Sequence, residues 1–190
     1  MRSLPPTTFA LIIINVIVFL IDGISGNALG GRLALWPLGT FFMPWQLVTY
    51  AFVHAGITHL LFNMYGLYTF GADVERVWGA PRFLRYYAVC IVTAALAQLI
   101  VTFVTGAYYP TVGASGAVFG LLYAYARLFP QRRLMLIFLP FPLAAPVFVL
   151  LYGALELTLG VTGTQEGVAH FAHLGGLAGG YLFLKFARRR

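Results

Sequence analysis

A serine set between glycines, Gly113-Ala114-Ser115-Gly116, opens an apolar run, and four histidines, His54, His59, His170 and His173, are spread through a chain with few other ionisable groups. A serine hydroxyl is a weak nucleophile until a positioned base removes its proton, and histidine is the usual base. Asn63 follows His59 by four residues and His173 follows His170 by three, spacings that put each pair on one face of a helix. Imidazole is also a common zinc ligand, but no His-Glu-x-x-His run exists and no carboxylate is spaced to complete such a site. The chemistry to expect is therefore hydroxyl and imidazole chemistry with no metal and no cofactor.

The elements that must carry these residues follow from composition. Of 190 residues, 61% are hydrophobic and 9% charged, against about a quarter charged in soluble domains. A water-soluble fold is excluded, and a single all-α domain in lipid, spanning 1–190, is expected. Cys90 is the one cysteine, so neither an internal disulfide nor a thiolate metal site is available. Met1-Arg2 and the apolar run after them resemble a signal peptide, but residues 27–31 offer no small-residue cleavage site, so this segment is read as a retained span.

Apolar runs between polar or Pro/Gly breaks predict six transmembrane helices near 7–24, 57–76, 81–105, 114–128, 134–155 and 167–185. The apolar stretch from Phe41 to Val74 exceeds the roughly 20 residues a crossing needs. Pro44, Gly56 and Thr58 mark its break, with Thr58 as the expected N-cap of a helix opening at His59. Residues 40–55 then form a first loop lying at the membrane interface, a place that suits Phe41, Phe42, Trp45, Tyr50 and the preceding Trp36.

In this arrangement every basic residue except Arg32 falls on one side: Arg2, Arg76, Arg82, Arg85, Arg127, Arg132, Arg133, Lys185 and Arg188 to Arg190. The positive-inside rule puts both termini in the cytoplasm and requires an even number of spans. The net charge of +7 is thus a topology signal, and no nucleic-acid partner is expected.

The second, fourth and sixth helices all start on the outer side, and each carries polar residues in its first two turns: His59 and Asn63, Ser115, and His170 and His173. The fourth run has about 15 residues, some 22 Å of helix against a hydrocarbon core near 30 Å. Its outer end must start below the membrane surface, so residues 110–114 are expected to line a water-filled cavity. Gly116 and Gly120 on the fourth helix and Gly176 and Gly180 on the sixth form small-xxx-small surfaces, and His173 shares a face with Gly176 and Gly180. Asp73 and Glu75 lie at the cytoplasmic end; Asp22, Glu156 and Glu166 lie near the outer side but are placed by no motif, so a dyad without a third carboxylate is expected.

Gly-Ala-Ser-Gly-Ala-Val-Phe-Gly at 113–120 resembles the GxSGxxxG nucleophile motif of rhomboid intramembrane proteases. His-Leu-Leu-Phe-Asn at 59–63 is similar to that family's HxxxN motif, and 172–179 resembles its catalytic-histidine segment. Gly71 to Arg76 resembles the Gly and Glu-Arg end of the second helix, and the likeness runs in the family's order from Trp45 to Gly180. The resemblance implies a six-helix rhomboid-like bundle with Ser115 as nucleophile, His173 as base, and His59, Asn63 and the Ser115 N–H binding the oxyanion. Gly113, Gly116, Phe119, Gly176 and Gly180 would support the motifs. His170 is read as a neighbour of the base, and His54 as part of the cavity wall or a brace for the loop before it. The implied partners are lipid and transmembrane protein substrates, and the implied setting is a prokaryotic plasma membrane with the site open to the outer side. The alternative is a relative that binds transmembrane clients without cutting them. Two positions depart from the family pattern: Gln46 stands after Trp45 where many members have arginine, which bears on the stability of the loop, and Phe119 stands where some have tyrosine, losing a hydroxyl but keeping a ring able to pack on His173.

Overall fold

The computed structural model describes residues 3–136, 139–163 and 169–187; Arg2, Glu166 and Arg188 to Arg190 lie outside them. Helix α1 (Pro6–Ile24) starts on a proline suited to a first turn, and α2 (Ala28–Leu33) follows at once. The loop region expected at 40–55 is partly helical: α3 (Gln46–Thr49) runs into a 3₁₀ turn (Tyr50–Phe52). The chain then bends by 100° into a continuous helical run, Ile57–Trp78, made of α4 (Ile57–Gly66), a π segment (Leu67–Gly71) and α5 (Ala72–Trp78). This run opens at Ile57 after Gly56 and without a side-chain cap, not at His59 after a Thr58 cap.

Helix α6 (Ala80–Thr105) and α7 (Ser115–Leu128) match the third and fourth expected runs. The fifth does not. Strand β1 (Arg133–Leu136) pairs antiparallel with β2 (Leu139–Ala144), in the register Arg133 to Ala144 and Leu134 to Leu143. Helix α8 covers Ala145–Thr162 instead of 134–155, and α9 covers His170–Ala187. The physical reason is proline: Pro140 and Pro142 lack the N–H that a helix interior needs and would clash with the preceding turn. A two-stranded ribbon, free along both outer edges, tolerates them.

Among the described residues, α1, α6 and α8 are each long and apolar enough to cross a membrane, and a fourth such element is present if Gln46–Phe52 and Ile57–Trp78 count as one bent span. Their outward faces carry large apolar side chains, among them Ile13, Ile17, Leu20, Ile100, Phe103, Leu150 and Val161. That surface belongs in lipid rather than water.

The centre is a three-helix contact of α6, α7 and α9. It is built on absent side chains. A Cβ on Gly176 would collide with the Gly116 carbonyl, one on Gly120 would meet Cys90 and the Gly176 carbonyl, and one on Gly175 would meet the Thr93 carbonyl at 2.8 Å. Tyr86 fills the space beside Gly180 and donates its hydroxyl to the Gly120 carbonyl at 2.6 Å. Close backbone approach of this kind is what small residues allow between membrane helices.

Buried polar side chains tie the rest to this centre. Gln46, 2% exposed, uses both ends of its amide: Oε1 accepts from the Trp36 and Met43 N–H groups, and Nε2 donates to the Arg32 and Phe41 carbonyls. The departure from arginine therefore leaves the loop pinned. At the other end of the molecule Glu75 accepts from Thr7 N at 3.0 Å and from Thr8 N and Oγ1 at 2.7 Å each, satisfying first-turn donors of α1 that have no cap of their own. Asp73 holds Arg76 and Arg132 beside it. Glu75→Ala strands these buried donors and is expected to cost about 3 kcal/mol, read as a lowered thermal midpoint in detergent.

Candidate active site

Ser115 is the first residue of α7, half-buried, with its N–H among those that have no acceptor within their own helix. The approach to it is a constrained strand of chain. Thr111 pairs with Leu35 in an isolated bridge, and the Gly113 N–H donates to the Tyr50 carbonyl at 3.0 Å. Tyr50 is itself anchored through its hydroxyl to the Ile91 carbonyl at 2.9 Å. Gly113 has φ +117°, which side-chain-bearing residues rarely adopt, and an added Cβ would lie 2.6 Å from His59 Nε2.

His173 sits in the first turn of α9, opposite Ser115, and its Nε2 lies 2.7 Å from Ser115 Oγ. Phe119, one turn along α7, stacks on the imidazole with centroids 4.5 Å apart and planes 7° from parallel. Tyr152 of α8 stacks on the far face of the cluster, 5.0 Å from Phe119. The ring of His173 is therefore held by a hydrogen bond along its edge and by aromatic packing on its face.

On the other edge of His173 stands a residue that the sequence reading did not place. Glu156 Oε2 lies 2.8 Å from His173 Nδ1 and 2.7 Å from His170 Nδ1, and all three side chains are buried. No motif places Glu156, and the fifth run expected at 134–155 stops one residue short of it, whereas α8 covers Ala145–Thr162. A signal was available: Tyr152 and Glu156 are i and i+4 on one face, and a carboxylate within an apolar helix is a functional marker by default. These three residues also offer one ligand atom each within 4.8 Å of one another. Both imidazoles aim Nδ1 at the same carboxylate oxygen at N–H···O distances, so a cation there would have to displace both protons.

Among the described residues, neither His59 nor Asn63 hydrogen-bonds Ser115 or His173. Asn63 is buried and donates Nδ2 to the His59 carbonyl at 2.9 Å, which leaves a second amide proton. The His59 ring packs on Gly113 and meets His54 edge-on at 5.0 Å. Gly116 and Gly176 lie in the contact that brings Ser115 and His173 together, while Gly180 lies one turn further along α9 against Tyr86. A cavity of about 300 Å³ lined by Trp78, Arg82, Tyr123, Arg127, Tyr181 and Lys185 is at the opposite end of α7. Gly113→Ala is expected to cost about 2 kcal/mol through backbone strain alone and to push the His59 ring away, seen as a lowered thermal midpoint.

Comparison with known proteins gives one family. The model of the Rhomboid domain matches residues 42–190. The rhomboid protease GluP of Bacillus subtilis is 29% identical over 186 residues, which cover 93% of this chain and 34% of that protein. YdcA of the same strain, likewise named after the rhomboid proteases, is 33% identical over 162 residues, covering 85% of this chain and 72% of YdcA. The human mitochondrial presenilin-associated rhomboid-like protein is 31% identical over 136 residues, 71% of this chain and 36% of that protein. The chain thus spans about a third of the length of two of these three relatives.

Proposed function

Since the chain belongs to the rhomboid family, we propose that it is an intramembrane serine endopeptidase in which Ser115 is the nucleophile and His173 its general base. The observation that carries this reading is the 2.7 Å contact between Ser115 Oγ and His173 Nε2. In the reaction Ser115 Oγ bonds to the scissile carbonyl carbon while its proton passes to His173 Nε2. The carbonyl oxygen becomes an oxyanion; the Ser115 N–H, with the free amide proton of Asn63 and the His59 ring, forms its binding site. Collapse of the tetrahedral intermediate breaks the C–N bond, and His173 returns the proton to the leaving amine. Water then attacks the acyl-enzyme with His173 as base, so the serine is regenerated and one peptide bond is hydrolysed.

The substrates are membrane proteins whose spanning helix unwinds near its outer end, because a peptide bond in an intact helix is shielded by its own turn. Helix α7 has 14 residues, about 21 Å, so Ser115 stands below the surface of a core near 30 Å. The bundle is read as six spans with residues 40–55, which include α3 and the 3₁₀ turn after it, at the outer interface. Arg76, Arg82, Arg127 and Lys185 gather at the helix ends remote from Ser115, which supports cytoplasmic termini and a site open to the outer side of the membrane; the membrane is read as a prokaryotic plasma membrane.

Purified protein in mild detergent is expected to cleave a single-span substrate with a Gly- and Pro-containing outer segment, and to do so in the presence of a chelator. Ser115→Ala and His173→Ala should each abolish cleavage. Asn63→Ala, losing an oxyanion donor, should lower kcat by about 10²-fold. Cleavage that survives Ser115→Ala would sink the mechanism. A folded wild type that binds such substrates without cutting them would favour the client-binding alternative.

A further inference from the structure

We infer that Glu156 is a positioning residue for the base, holding His173 in the one tautomer that can accept the serine proton, with His170 as the second clamp on the carboxylate. This rests on the reading of Ser115 and His173 given above and adds a third and fourth residue to it. An ionised carboxylate only accepts hydrogen bonds. The contacts of 2.7 and 2.8 Å at Glu156 Oε2 are therefore N–H donations from His170 Nδ1 and His173 Nδ1. A neutral imidazole protonated at Nδ1 keeps its lone pair on Nε2, and there Ser115 Oγ stands at hydrogen-bond distance. The hydroxyl donates and the ring accepts, which is the direction that proton transfer needs. In the other tautomer an Nε2–H would face the hydroxyl, and the ring could not act as base.

The surroundings make this selection strict. Phe119 fixes the plane of the ring, so His173 cannot swing to find another acceptor for Nδ1–H. Glu156 is 5% exposed, and a carboxylate so buried needs donors on it. His170 supplies the second donor. Its Nε2 is buried with no hydrogen-bond partner among the described residues, so its polar bonding is directed at Glu156. Tyr152 lies one turn before Glu156 and stacks on Phe119. No other carboxylate among the described residues bonds to this group of side chains. When His173 takes the serine proton, the imidazolium that forms already touches the carboxylate.

The test compares Glu156→Gln with wild type in the same detergent assay, alongside Ser115→Ala and His173→Ala. Glutamine keeps the size of the side chain but loses its charge and can present an N–H to the ring. The expected result is a kcat lowered by about 10²-fold with KM unchanged, since substrate does not touch this residue. Glu156→Asp, too short to reach both imidazoles, should fall between the two. Wild-type protein labelled with ¹⁵N-histidine should show His173 protonated at Nδ1 and bare at Nε2 when neutral, a measurement independent of whether the variants fold. A wild-type kcat in Glu156→Gln, or a His173 protonated at Nε2, would overturn the inference. Inactive Ser115→Ala and His173→Ala beside a fully active Glu156→Gln would leave the nucleophile and base intact and remove only Glu156; active Ser115→Ala would remove the underlying reading.

Discussion

The approach of α7 to α9 at Gly116 and Gly176 is the constraint on which the rest of the molecule depends. Ser115 and His173 are 58 residues apart in the chain, and their side chains are short relative to the 8–10 Å that normally separates helix axes. They meet because the glycine surfaces of the two helices carry no Cβ where backbone faces backbone. Apolar burial supplies little force between helices already in lipid, so dispersion over a tight seam must hold it. The same seam leaves no room for error: a single methyl on Gly176 would enter the Gly116 carbonyl.

Around this seam many of the polar side chains bond within the protein, as a medium without water favours. Thr102 and Thr93 bond back to carbonyls of their own helix, Tyr86 closes on the Gly120 carbonyl, and Gln46 satisfies four backbone groups of the loop that runs towards Tyr50. Tyr50 in turn holds Gly113. A path of hydrogen bonds thus runs from the first loop to the residue two before Ser115. The carboxylates divide the labour by depth: Asp73 and Glu75 lock helix ends remote from the serine, and Glu156 stands inside the bundle with two imidazoles on one oxygen.

The family, the membrane setting and most of the elements were legible in the chain. Five of the six expected runs lie within a few residues of a helix because apolar length and Pro/Gly punctuation are local properties, and the motif glycines mark the seam. Phe119 was expected to be able to pack on His173, since one turn of helix separates it from Ser115. The fifth run departs from its expected place for a local reason that is also legible: Pro140 and Pro142, two residues apart, rule out a helix interior however apolar the stretch. The polar bracing by Gln46 was not legible, because the acceptors and donors it serves come from Arg32, Trp36, Phe41 and Met43, and only the folded loop brings them round one amide.

The sequence by itself therefore determined the medium, most of the elements that long apolar runs build, and the residue types able to do acyl chemistry, because each is written in neighbours along the chain. Only the tertiary structure decided what lies behind the imidazole. Glu156 is 17 residues from His173 and 14 from His170, a separation that by itself sets no geometry, and which edge of a ring a carboxylate meets depends on how α8 rotates about its axis against α9. That rotation is fixed by packing of Tyr152 on Phe119 and of Phe119 on His173, contacts between three helices that no spacing within one of them can encode.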